Sequence, residues 1–348
     1  MSNLKIFSIQ KPTAAQYERL EKNCSYATFT HTRLWTQIFC THPNPHFNNR
    51  IPSDASLFFN FSDGVEMLFP MVQYAEVKGL FKLHSAAADQ KNGGYLSESD
   101  VSEEHEELLL KYLSRYDIWW RQNPFKPVAN ISNGFTRQED FNIVLDIRDG
   151  LTALRENLKK NNKEFVRQSL RAVKHGVKVD LATTLEDWQA FYQIYIESSR
   201  RWEDPKLYNW AVFEDFYKLG TDKATLWLAR YEGKIVAGSI RLPHNRIVQG
   251  WIRGGLKEYF HLHAPKYLDL EVFEYYAQQN YHWFDLGWCG GDEKLMHFKM
   301  SLGGDKMDGS LLINKTRMRN TYEQLRYRAI TLNTGLKNYA KSRLHKGD

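Results

Sequence analysis

Cysteine is scarce in this chain: Cys24, Cys40 and Cys289 are the only three among 348 residues, and their spacings are unrelated. That excludes a disulfide framework and a cysteine-based metal site, and it fits a reduced, cytoplasmic setting. No stretch approaches the roughly 20 apolar residues that a membrane helix needs. The N-terminus, MSNLKIFSIQKP, has no basic segment followed by an apolar core, so no signal peptide is expected. The 12 histidines form no His-Glu-x-x-His pattern, and His261 and His263 stand alone. A phosphate-binding P-loop and a Gly-x-Ser-x-Gly elbow are both missing, which argues against an NTPase and a serine hydrolase. No segment sustains heptads, and no short repeat or low-complexity run occurs.

What is present is enough for two ordinary domains, each with its own core. Hydrophobic residues make up 42% and charged residues 25%, the proportions of a globular protein. Aromatics reach 14%, with 10 Trp and 19 Tyr, which suits either aromatic-heavy cores or grooves for sugars and nucleobases. The formal charge is +6, and the excess is uneven. Lys159, Lys160, Lys163, Arg167, Arg171, Lys174 and Lys178 fall in one segment, and the tail from Arg317 to Lys346 is also basic. Such a patch attracts phosphates on RNA, on a diphosphate-linked sugar or on an anionic membrane; a solvated helix face would have the same letters.

Periodicity predicts an α+β chain. In the first half it predicts short helices at Tyr17–Asn23 and Thr32–Phe39, β-rich runs at Ala55–Phe61 and Val65–Glu76, a helix from Glu104 to Trp120, and a strand at Phe141–Ile147 that ends the first domain. Asp149-Gly150 breaks the chain. A helix then runs from Leu151 to His175 and is stopped by Gly176; Arg167, Arg171 and Lys174 project from one face at i, i+4, i+7. Helices follow at Leu185–Arg200 and Trp210–Lys218, then a hairpin of Leu226–Tyr231 and Ile235–Leu242. A strand at Gln249–Arg253, a crossover helix at Pro265–Gln279 and a returning strand at Trp283–Leu286 complete the pattern. The division expected is residues 1–150, 151–315 and a basic helical tail, 316–348.

Several residues invite chemistry. Arg253 ends a central strand where clefts open, and could clamp a phosphate or carboxylate or form a structural ion pair. Asp285 on the next strand could bind an amine or accept its proton, or cap the following turn. Trp288 could stack on a sugar or base, and Tyr95, after Gly93-Gly94, could reach a cleft from the first domain.

The segment LMHFKMSLGG, Leu295–Gly304, follows a strand and its crossover helix and carries a Phe-Lys pair, Phe298-Lys299. With WLARYEGKIVAGSIRL, with the basic segment before Gly176-Val177, and with YATFTHTRLWTQIF around Trp35, it resembles the Fem-type branch of the GNAT acyltransferases. That resemblance implies two tandem GNAT-type domains, each a mixed, largely antiparallel twisted sheet flanked by helices. It implies acyl or aminoacyl transfer to an amine on a cell-envelope precursor, with Lys299 at the reaction centre. There the Lys donates to a developing oxyanion or protonates the departing group; a surface Lys beside a buried Phe298 is the plain alternative. Arg167, Arg171 and Lys174 would neutralise the phosphates of a nucleotide- or lipid-linked acceptor, and Trp35 and Phe298 would line the substrate.

No tightly bound cofactor or metal is implied. The donor would be aminoacyl-tRNA or an acyl-CoA, with tRNA and a peripheral membrane surface as partners. Residues Gln249–Tyr267, QGWIRGGLKEYFHLHAPKY, lack the Gly loop with which CoA-dependent members cradle a pyrophosphate. This favours aminoacyl-tRNA over acetyl-CoA. Two further readings remain: a CoA-dependent N-acetyltransferase of amino sugars, and a non-catalytic binder of RNA or anionic glycan.

Overall fold

A computed structural model describes residues 4–131, 134–202 and 205–328. The first half runs β1 (Ile6–Gln10), α1 (Ala14–Asn23), α2 (Arg33–Phe39), β2 (Ser53–Asp54), β3 (Leu57–Phe61), β4 (Glu66–Phe69), β5 (Val72–Glu76), β6 (Phe81–Ser85), α3 (Glu103–Leu113), β7 (Asp117–Arg121) and β8 (Thr136–Gln138). After β9 (Phe141–Asp146) come α4 (Gly150–Asn161), α5 (Lys163–Lys174), β10 (Lys178–Leu181), α6 (Leu185–Ser199), α7 (Trp210–Lys218), β11 (Thr225–Tyr231), β12 (Lys234–His244) and β13 (Ile247–Gly255). The chain closes with α8 (Ala264–Gln278), β14 (Trp283–Trp288), α9 (Glu293–Met300), β15 (Asp305–Asp308) and β16 (Leu311–Asn314), followed by a helix over 317–328.

The strands form three sheets. β1-β3-β4 is small; β2-β5-β6-β7-β16-β8 belongs to the first half; β10-β11-β12-β13-β14-β9-β15 belongs to the second. Phe141–Asp146, expected to end the first domain, lies in the second sheet between β14 and β15, while β16 returns to the first. The halves therefore exchange strands. They also share a core, because Trp35, Phe39 and Tyr74 pack in one apolar cluster with Phe191, Phe213 and Phe216, and Trp251 packs against it. Burying a large side chain of this kind contributes about 2–3 kcal/mol, so the two halves are fastened by several such terms.

Local chemistry explains most element ends. Thr13 and Gln16 form a capping box at α1, and Thr32, Thr184, Asn209 and Asp292 cap α2, α6, α7 and α9 through their side chains. Gly176 stops α5 as expected: its N–H donates to Val173 O, and the Val177 N–H to Ala172 O.

Two expectations fail. The helix predicted from Glu104 to Trp120 ends at Leu113, and Asp117–Arg121 is a strand, because Trp119 and Trp120 extend the sheet beside β6 and β16. The single helix predicted over Leu151–His175 is two, broken where Asn162 leaves helical geometry (φ −127°, ψ 45°). The Asn162 amide instead donates to the carbonyls of Met300 and Ser301 at 3.2 Å, which ties the end of α9 to the α4–α5 junction.

Candidate active site

The parallel pair β13–β14 holds for only a short stretch, Ile247–Gln249 against Trp283–Asp285. Beyond it the strands part. β13 stays with β12 as far as Gly255 opposite Ala237, while β14 follows β9 to Trp288 opposite Asn142. The wedge between them opens at the C-terminal ends of the strands, where open sheets bind ligands.

α9 plugs one side of this wedge. Lys299 reaches back from its last turn, and its ammonium donates to Gly287 O at 2.9 Å and Trp288 O at 2.7 Å. A lysine ammonium has three N–H donors, so one remains for a reactant. Burial pushes the Lys299 pKa down, and Lys91 adds to the effect; Cys289, Asp285 and Asp140 oppose it. A buried cation with a depressed pKa gives up its proton more readily than a surface lysine. The alternative of a surface lysine beside a buried phenylalanine does not describe the pair, since Lys299 is half-buried and Phe298 is 37% exposed.

Asp285 lies deeper. It is buried, and its carboxylate accepts from the Asn142 amide at 2.9 and 3.1 Å and from the Gly287 N–H at 2.8 Å. Burial raises its pKa; Asn142, the Gly287 N–H and Lys299 act against that rise. Gly287 has φ +83°, a conformation that side chains rarely take, and the β14–β9 register shifts there. Asp285 caps the turn at Gly287 and so fixes the bulge whose carbonyls hold Lys299.

Asn142 and Asn92 exchange side-chain hydrogen bonds at 3.0 and 3.1 Å, and Asn92 O accepts from Thr30 Oγ1 at 2.7 Å. A fully satisfied buried polar network thus runs from the first half to the base of the site.

A cavity of about 390 Å³ sits at the end of β13 and the start of α8. Arg201, Arg253, His263 and Lys266 supply its polar wall and Trp202, Phe260 and Phe298 its apolar one, and among the described residues no carboxylate lines it. Arg253 forms the structural ion pair foreseen for it and also lines the cavity. One nitrogen pairs with Asp269 at 2.8 Å and donates to Pro265 O at 3.0 Å, while the guanidinium faces the cavity over the Phe298 ring, 5.2 Å from its centroid. Asp269 also pairs with the buried Arg241 at 2.8 Å, so one carboxylate anchors two arginines. Burial lowers the pKa of Lys266 and His263, and Lys266, Arg171 and His175 lower His263 further.

The remaining expected residues scatter. Trp288 joins the site, its ring stacked under the Arg121 guanidinium at 3.9 Å. Arg167, Arg171 and Lys174 lie exposed on α5; Arg167 pairs with Glu164, and Arg171 reaches the cavity only through its effect on His263. Trp35 and Tyr95, expected at the substrate, are core residues. Trp35 is fully buried and donates to Ala88 O at 3.2 Å, and the Tyr95 hydroxyl donates to Glu106 at 2.5 Å. In the tail, Arg319 pairs with Glu76 and Glu323 and lies over Phe81, whereas Lys337, Lys341, Arg343 and Lys346 fall outside the described residues. Among the described residues no His, Cys, Asp or Glu group could hold a metal ion, and no helix is long and apolar enough to cross a membrane.

Sequence reasoning missed Arg121, Asn142 and Asn92. Asn142 carried a readable signal: it is a polar residue inside the apolar strand Phe141-Asn-Ile-Val-Leu, where only a specific partner justifies burial.

Comparison with known proteins bears on the fold. Residues 155–300 match the family described as Acetyltransferase (GNAT) domain. No curated protein matches the chain in sequence. Among solved structures the chain resembles FemX, with a TM-score of 0.65 and 12% identity over 92% of this chain and 99% of that one. It also resembles a conserved protein of unknown function from Bacteroides thetaiotaomicron, with a TM-score of 0.51 and 11% identity over 89% and 100%. The chain therefore has the fold of FemX, a mixed α+β architecture in which residues 155–300 are similar to a GNAT domain.

Proposed function

We propose that this protein is an acyltransferase of the Fem type, moving an aminoacyl group from tRNA to an amine on a cell-envelope precursor. One observation carries the reading. Lys299 is half-buried with two of its N–H groups on the carbonyls of Gly287 and Trp288, at the open end of a splayed strand pair in a fold shared with FemX. Its third N–H is free for the oxygen that gains charge during acyl transfer. In the step itself the amine forms a C–N bond to the acyl carbon, and the C–O bond to the carrier breaks. The departing oxygen takes the Lys299 proton, and solvent removes the proton that the amine loses.

The cavity beside Lys299 supports a nucleotide-bearing donor. Its cations, Arg201, Arg253 and Lys266, suit phosphates, and its rings, Trp202 and Phe260, suit a base. Acetyl-CoA is disfavoured by the start of α8, where His263 takes a left-handed φ of 57° and Pro265 has no N–H to offer a pyrophosphate.

The test is donor binding and single-turnover transfer with Lys299→Met. Transfer is expected to fall by about 10²–10³-fold, the usual loss when one oxyanion donor is removed, with binding of charged tRNA kept. Undiminished transfer would refute the role of Lys299. Micromolar binding of acetyl-CoA together with no binding of tRNA would replace the donor.

A further inference from the structure

Beside the Lys299 site, on the first-half side of the cleft, lies a second and smaller cavity of about 30 Å³. Its walls are Ser85, Gln90, Lys91, Trp119, Arg121 and Leu311, so among the described residues it offers two cations and no carboxylate. Both cations keep donors to spare. The Lys91 ammonium forms a long ion pair with the buried Asp89, 3.7 Å from an Oδ2 that already accepts the Tyr208 hydroxyl at 2.5 Å, and makes no side-chain hydrogen bond among the described residues. Arg121 spends a single nitrogen, Nη1, on Asp140 at 2.8 Å and on Gly309 O at 3.4 Å. Its Nε is buried with no partner at all, although the side chain is only 8% exposed. An unmatched guanidinium N–H in such surroundings costs free energy that a ligand would restore.

We propose that Lys91 and Arg121 form a subsite for a carboxylate group of the acceptor. Arg121 lies over the Trp288 ring and is anchored through Nη1, which leaves the Nε–Nη2 edge of its fork without a partner among the described residues. That edge takes a planar carboxylate through two parallel N–H···O bonds, and Lys91 supplies the compensating charge.

Placement gives the subsite meaning. Trp288 lies under Arg121, and its carbonyl accepts from Lys299, so the carboxylate site and the reaction centre share a residue. On the transferase reading, the acceptor is an amine that carries a carboxylate nearby, as an amino acid or a short peptide does. That role rests on the proposed function, whereas the anion binding does not.

The experiment is a titration of the full chain with N-acetylglycine, following the indole N–H signals of Trp119 and Trp288 by NMR, with the neutral N-acetylglycinamide and inorganic phosphate as companions. The acid is expected to saturate in the millimolar range, the amide to leave both signals in place, and phosphate to compete poorly. Lys91→Met, a partly exposed change that should fold normally, is expected to weaken the acid at least fivefold, and Arg121→Lys to do so as well. An equal response to acid and amide, or an unchanged response in Lys91→Met, would overturn the subsite. Tighter competition by phosphate would overturn its assignment to a carboxylate. Because binding is read without turnover, failure of the Lys299 test would leave this result standing, and the reverse also holds.

Discussion

The two halves of this protein build the same strand–helix–strand unit and finish it differently. In the first, β6 and β7 run parallel from Leu83 to Ser85 against Asp117 to Trp119, with α3 as the crossover; in the second, β13 and β14 do so with α8. After the first pair the wedge is sealed by the chain itself: the Ala86 N–H donates to Trp119 O, the Gly93 N–H to Arg121 O, and the Trp120 indole to Gly93 O. After the second pair α9 closes one side only, and Arg253, Gly254 and Gly255 face a cavity. One wedge has become a rigid wall and the other a site. The wall still contributes, because Lys91 and Arg121 lie along its edge.

The comparison breaks most completely at the open wedge. Asp269 holds Arg241, which is almost fully enclosed, and Arg253, which faces the cavity. Asp269→Ala would leave a buried cation uncompensated, and the expected loss is about 3–5 kcal/mol in denaturant unfolding. A loss well below 1 kcal/mol would mean that the two arginines are held by something else.

The sealed wedge should be the less tolerant of added bulk. A Cβ at Gly93 would stand 2.2 Å from Ala86 O, a backbone atom that cannot give way without opening the seal. Gly93→Ala is expected to cost about 1–3 kcal/mol, as overpacking of a tight site does. At Gly255, on the open wedge, a Cβ would meet its nearest neighbour, Phe260, at 3.4 Å, which is ordinary contact. Gly255→Ala should therefore stay within about 0.5 kcal/mol of the parent. Equal costs for the two would erase the distinction between filled and open.

The open wedge was far more legible in sequence than the sealed one. Its hairpin, crossover helix and returning strand carry unbroken apolar runs and clear breaks, and Trp210–Lys218 was placed to the residue. In the first half, α3 and β7 are separated by only Ser114–Tyr116, so the apolar letters of helix and strand run together and read as one helix. β9 could not be assigned from local pattern, since its choice of sheet depends on β14 and β15, which lie far along the chain. The Phe-Lys pair pointed to Lys299, but not to what holds it. Asn142, Asn92 and Arg121 come from three separate segments, and only the folded chain brings them to one place.

The smallest effect expected is a slope in pH, and it sets the chemistry of the open wedge apart from its packing. Burial lowers the Lys299 pKa, so between that lowered value and the ordinary lysine value of about 10.4 the unfolded chain binds more protons than the folded one. Stability must then rise with pH across this window, because the cost of burying the charge disappears as the amine loses its proton. Asp285 has the opposite sign, but its window lies lower, upward from the ordinary carboxylate range, where its raised pKa makes stability fall as pH rises. Denaturant midpoints of the parent and of Lys299→Met, measured from neutral pH to about pH 10, should therefore diverge in slope, with the parent gaining relative to the variant. Parallel curves would mean that Lys299 titrates as a surface lysine does, and the case for a poised proton donor between β13 and β14 would fail with them.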